Sequence, residues 1–152
     1  MKKTIEKFYT AFTNLDAASM SECYHPEIVF EDPAFGKLQG ERAKKMWRML
    51  CDSQKGKNFN VVFSEATYEN GKGTAKWDAY YTFSQTGRKI HNKVFATFAF
   101  ANDLIIRHQD DFDLYQWAKQ ALGFKGLLLG KTTFFKARLQ RTTNSMLDAF
   151  EK

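Results

Sequence analysis

The chain has 152 residues, 43% hydrophobic and 26% charged, which fits one globular domain and excludes a disordered chain. Aromatic residues reach 16%, with Phe at 15 positions, so the fold needs a large interior, a lined cavity or a partner surface. The net charge is +6, but from Tyr115 onward Lys119, Lys125, Lys131, Lys136, Arg138, Arg141 and Lys152 face only Asp148 and Glu151, so the tail holds +5 of it. A nucleic-acid binder would spread positive charge over the body as well, and no nucleic-acid partner is expected.

Ile5, Phe8, Tyr9, Phe12 and Leu15 recur at helical spacing and predict an amphipathic first helix. Asp16 caps a second, short helix through Cys23, which His25-Pro26 ends. Ile28 to Asp32 reads as a short strand stopped by Pro33, and Gly36 and Gly40 bracket a turn or very short strand. Glu41 to Asp52 reads as a third helix, with Met46, Trp47, Met49 and Leu50 as its buried side.

The period then drops to two. Phe59, Val61 and Phe63 alternate with polar residues, and Asn70-Gly71 marks a hairpin. Ala75, Trp77, Ala79, Tyr81 and Phe83 alternate next. Thr86-Gly87 turns into a strand from Arg88 to Ala101, and Asn102-Asp103 into a last strand from Leu104 to Phe112. Four consecutive antiparallel strands after three helices predict an α+β domain with the helices on one face of a meander. Leu114 to Leu122 reads as a helix stopped by Gly123. Residues 123–130 read as an apolar loop fenced by glycines, and a final helix runs from about Thr132 to Phe150.

Cys23 and Cys51 lie in helical patterns without a disulfide framework, so a reduced, cytoplasmic protein is expected. Met1 to Glu6 has no apolar run behind its lysines, and no signal peptide is read there. No segment approaches the length of a membrane span. The tail residues Phe134, Phe135, Leu139, Met146, Leu147 and Phe150, with Leu127 to Leu129, are too apolar to leave in water. They are expected to dock on the domain body near the pocket mouth, in preference to a second subunit or to an anionic membrane.

The order α-α-β-α-β-β-β-β, the aromatic first helix and the stretch Val29-Phe30-Glu31-Asp32-Pro33-Ala34-Phe35-Gly36 resemble the nuclear transport factor 2-like superfamily. The resemblance spans about Thr4 to Phe112 and lies in the SnoaL-like polyketide cyclase and ketosteroid isomerase-like branches. It implies a cystatin-like roll, a curved antiparallel sheet whose N-terminal helices enclose a cone-shaped pocket. Residues 1–113 would form this core, and residues 114–152 a helical extension packed on the same domain. It also implies a homodimer through the outer sheet face, where Lys76, Asp78, Tyr80, Thr82, His91, Lys93 and Phe95 would point.

The resemblance carries residues with it. In the ketosteroid isomerase pattern the Asp before Pro in the first strand is the proton-shuttling base, and Asp32 stands there. That pattern also uses a Tyr on the first helix and a protonated Asp on the second-to-last strand as oxyanion donors. Here Phe8 and Ala96 match those positions, so both donors are replaced. In SnoaL-like cyclases an Asp near the end of the sheet is the base, and Asp110 is similar in placement. If Ala96 faces inward, alternation also turns Asn92 inward, and His108, Asp110 and Phe112 share one face.

The expected site therefore has Asp32, His108 and Asp110 as catalytic residues converging on one cavity. Phe8, Trp77, Tyr81, Asn92 and Phe112 would contact substrate. Each polar residue also has a structural reading: Asp32 as a cap for the Pro33 turn, Asp110 as a solvated strand end, His108 as a core histidine bonded to a carbonyl or carboxylate. No metal is expected from three scattered His, and no cofactor from glycines that follow a helix. Two functions stay open. One is a cofactor-free isomerase or cyclase moving a proton next to a carbonyl on a hydrophobic ring-shaped molecule. The other is a non-catalytic module holding an apolar ligand or a partner protein.

Overall fold

The change of hydrophobic period becomes a change of layer in the computed structural model, which describes residues 1–151. α1 (Lys2–Thr13) buries Ile5, Phe8, Tyr9, Ala11 and Phe12, one stripe of its surface. α2 (Ala17–Glu22) begins where the Asp16 carboxylate accepts the Ser19 amide at 3.1 Å. α3 (Glu41–Gln54) buries Ala43, Met46, Trp47 and Cys51. Met49 and Leu50, expected on that buried side, are only half-buried.

These helices cover one face of a six-stranded sheet of β1 (Tyr24–Asp32), β2 (Gly36–Gln39), β3 (Asn60–Glu69), β4 (Lys72–Phe83), β5 (Arg88–Ala101) and β6 (Leu104–Asp111). The order is β2-β1-β6-β5-β4-β3, antiparallel except where β1 lies parallel to β6. Asn70 and Gly71 (φ 51° and 78°) and Asn102 and Asp103 (φ 52° and 64°) adopt the left-handed backbone that two-residue hairpins require. Ala75, Trp77 and Ala79 of β4 and Val94, Ala96 and Phe98 of β5 are buried, so the expected alternation of these strands holds.

Three elements differ from expectation. The first strand does not start at Ile28 after a break at His25-Pro26. It begins at Tyr24 and carries the proline through an irregularity between Tyr24 and Val29, with Pro26 exposed. A proline that donates no hydrogen bond is accommodated there because the ladder is interrupted. Pairing in β6 ends at Asp111, one residue before Phe112. The glycine-fenced segment is a short helix, α5 (Phe124–Leu129), and not a loop. It folds back on α4 (Leu114–Leu122), and a side chain at Gly126 would collide with the Ala118 carbonyl.

α6 (Thr133–Ala149), capped by Thr132, lies against the turn after β1. Gln140, Thr143 and Asn144 share one helix face and donate to the carbonyls of Pro33, Ala34 and Phe35 at 3.1, 2.9 and 2.9 Å. Arg42 and Arg48 of α3 bond Asp148 and Glu151 at 2.6 and 2.7 Å. Leu147 is fully buried. The expected burial of the tail's other apolar residues is incomplete. Phe124, Leu127, Leu128 and Leu129 of α5 and Phe134 and Met146 of α6 remain exposed.

Candidate active site

Strand parity puts Tyr24, Ile28, Phe30 and Asp32 of β1 on the helix-facing side, with His108 and Asp110 of β6 beside them. Phe30 pairs directly with His108, and Ala96 of β5 directly with Asp110. Asp110 thus stands one cross-strand neighbour from Ala96.

His108 is fully buried and Asp110 is 3% exposed. They belong to one hydrogen-bonded chain. The Trp47 indole N–H donates to the Tyr24 hydroxyl at 2.8 Å, that hydroxyl lies 2.7 Å from His108 Nδ1, and His108 Nε2 lies 2.9 Å from Asp110 Oδ1. An indole only donates, so the Tyr24 oxygen accepts from it, and toward a neutral imidazole its own hydrogen is free to go to Nδ1. A neutral imidazole then carries its hydrogen on Nε2 and donates to the Asp110 carboxylate. Trp77 Nε1 adds a longer bond to the same oxygen at 3.4 Å. Aromatic rings fix the imidazole: Trp47 stacks on it at 6.0 Å, and Phe8 and Phe30 meet it edge-on at 5.3 and 5.1 Å.

Between sheet and helices lies a cavity of about 920 Å³. Asp32, Asn92 and Asp110 line it together with Trp77, Tyr81, Phe112 and residues of α3, α5 and α6. The Asn92 amide has no hydrogen-bond partner among the described residues. Tyr81 is held by the Trp117 indole at 2.8 Å. Asp32 Oδ1 accepts the amides of Ala34 and Phe35 at 2.9 and 2.6 Å, so it caps the turn and faces the cavity at once. Burial outweighs those two amides and pushes its carboxyl up to about 7, and the nearby Asp110 charge adds to the rise. Among the described residues no three His, Cys, Asp or Glu side chains are grouped to hold a metal ion.

Residues 5–108 match the sequence profile of the SnoaL-like domain. The chain belongs to the SnoaL-like family. No curated protein sequence matches it. Its fold is shared by an LEH-like epoxide hydrolase of M. tuberculosis at 21% identity and TM-score 0.61, over 84% of this chain and 89% of that one. A candidate polyketide cyclase from Xanthomonas campestris pv. campestris is similar at 13% identity and TM-score 0.62, over 78% and 93%. A candidate isomerase from Bacillus subtilis is similar at 20% identity and TM-score 0.62, over 80% and 91%. A nuclear transport factor 2-like protein of Burkholderia pseudomallei K96243 is similar at 15% identity and TM-score 0.66, over 80% of this chain and 96% of that one, so the fold is nuclear transport factor 2-like.

Within this SnoaL-like fold the expected residues divide. Asp32, Asp110, Trp77, Tyr81, Asn92 and Phe112 lie on the cavity wall. His108 does not: it is fully buried behind Asp110, to which it is bonded, and forms no part of the wall. Phe8 is also no wall residue. Its face of α1 points at the sheet, where it stacks on Tyr24 at 5.3 Å. Tyr9, one step round the helix, stacks on Phe63 at 5.5 Å and leaves its hydroxyl buried without a partner. Tyr24 and Trp47 complete the polar chain but are absent from the site expected from sequence. Counting back in twos from Phe30 would place Tyr24 on this face, had the strand been carried through Pro26.

Proposed function

We propose that this SnoaL-like protein binds a hydrophobic ring-shaped carbonyl compound in the cavity and moves a proton on the carbon beside that carbonyl, without a cofactor. The observation that carries this reading is the hydrogen-bonded chain ending at the cavity wall. Both N–H partners of Asp110 donate to it, an arrangement suited to a carboxylate that accepts a proton. Asp32 faces the same cavity and, with its carboxyl near 7, is about half protonated at neutral pH. Two carboxyl groups in unlike settings can divide base and acid roles. Asp110 takes the proton from carbon, the electron pair shifts onto the carbonyl oxygen, and protonated Asp32 hydrogen-bonds that oxygen or returns a proton. Asn92 orients the ring through its free amide, and Trp77, Tyr81 and Phe112 exclude water.

The test is exchange of the α-hydrogens of 2-tetralone for deuterium in D₂O, followed by proton NMR. The wild-type chain should exceed buffer, and Asp110→Asn should lower the rate at least about 100-fold. Unchanged exchange in that variant would sink the assignment. Binding of 2-tetralone with no exchange would favour the second reading, a non-catalytic binding module. The replacement of both isomerase oxyanion donors, at Phe8 and Ala96, supports that reading.

A further inference from the structure

Between Asp113 and Asp148 the chain has six basic residues and no acidic one. None of the six has an ion-pair partner among the described residues. Two of them are held together: Lys119 and Lys131 place their ammonium groups 4.6 and 4.7 Å from the centre of the Tyr115 ring. The Tyr115 hydroxyl in turn donates to the Leu127 carbonyl at 3.1 Å, which fixes this paired charge beside α5. There the apolar residues are bare, with Phe124 72%, Leu128 62% and Phe134 63% exposed. Like charges gathered beside uncovered apolar side chains match a surface that is anionic outside and apolar just beneath.

We infer that α5 and the start of α6 dock on the headgroup layer of an anionic lipid bilayer. Phe124, Leu127, Leu128 and Phe134 enter the acyl boundary, and Lys119, Lys125 and Lys131 meet the phosphates. No helix is long and apolar enough to cross a membrane, so the contact is interfacial. A second copy of the chain fits this face poorly, because a two-fold contact would set the cationic cluster against itself. Lys125, Leu129, Phe134 and Arg138 belong to this surface and also line the cavity. A ligand dissolved in the bilayer therefore reaches the cavity without crossing water. The docking itself does not depend on whether the cavity performs chemistry.

The test is co-sedimentation of the full chain with vesicles of phosphatidylcholine alone or mixed equally with phosphatidylglycerol. Binding is expected only to the mixed vesicles. It should fall at least about tenfold in Leu127→Asp/Leu128→Asp and again when salt screens the charges. Both leucines are exposed, so an unchanged melting temperature separates lost docking from lost folding. Absent binding, equal binding to both vesicles, or binding untouched by the double substitution overturns the proposal. So does light scattering in which the same substitution halves the mass, since a second copy would then be the occupant.

Discussion

Replacing His108 with Phe should lower stability by about 3–5 kcal/mol, the cost of removing one partner from a buried, charge-assisted network. For a chain of this length that is a fall of roughly 10 °C in melting temperature. The imidazole is fully buried and bridges the buried Tyr24 hydroxyl and the Asp110 carboxyl at the cavity wall. With Phe there, the Tyr24 hydroxyl loses its acceptor, and Asp110 keeps only the long Trp77 bond. Ring contacts survive, so the loss reports the polar network and not a cavity. Combining His108→Phe with Asp110→Leu should recover part of the loss, because removing both partners costs less than stranding one. Additive losses in thermal unfolding would mean that the two residues do not act together.

Asp32→Asn should leave stability unchanged near pH 4 and raise it near pH 8. In the folded protein the Asp32 carboxyl is pushed up to about 7, above the usual carboxylate range. The folded protein therefore holds this proton more tightly than the unfolded chain does. The stability this contributes is complete below pH 4 and is lost as pH rises through 7. That rise in pKa caps the effect at about 4 kcal/mol. Asp32 is only half-buried and opens on the cavity, so about 1–2 kcal/mol at pH 8 is the expected gain. Asn keeps an oxygen for the Ala34 and Phe35 amides and cannot ionise. Asp32→Ala, which removes the turn cap, should instead lose stability at both pH values. Denaturant titrations at the two pH values measure both variants.

The sheet and the polar wall were legible because strand parity is a local property. Trp77, Ala79, Asn92, Val94 and Asp110 all show their face through simple alternation. Parity gives the face but not the depth along a strand. His108 and Asp110 share a face, yet only Asp110 meets the cavity, since α1 and α3 pack over the His108 end. Tyr24 was hidden because Pro26 reads as a stop, while the bulge lets β1 run through it. α5 was hidden because Gly123, Gly126 and Gly130 weigh against helix. Gly126 is there to let α5 lie on the Ala118 carbonyl, a contact between residues eight apart that no local pattern signals. The hold of α6 on the 33–35 turn is likewise long-range, made by three side chains that would otherwise read as a solvated face.

The proposed chemistry rests on Asp32 holding a proton near neutral pH in the cavity it shares with Asp110. Carbon-detected NMR titration of the Asp32 side chain tests that most directly. The account predicts a midpoint near pH 7 that disappears in Asp32→Asn and moves downward in Asp110→Asn, where a neighbouring negative charge is gone. A midpoint near 4 in the wild-type protein, unmoved by Asp110→Asn, would contradict it.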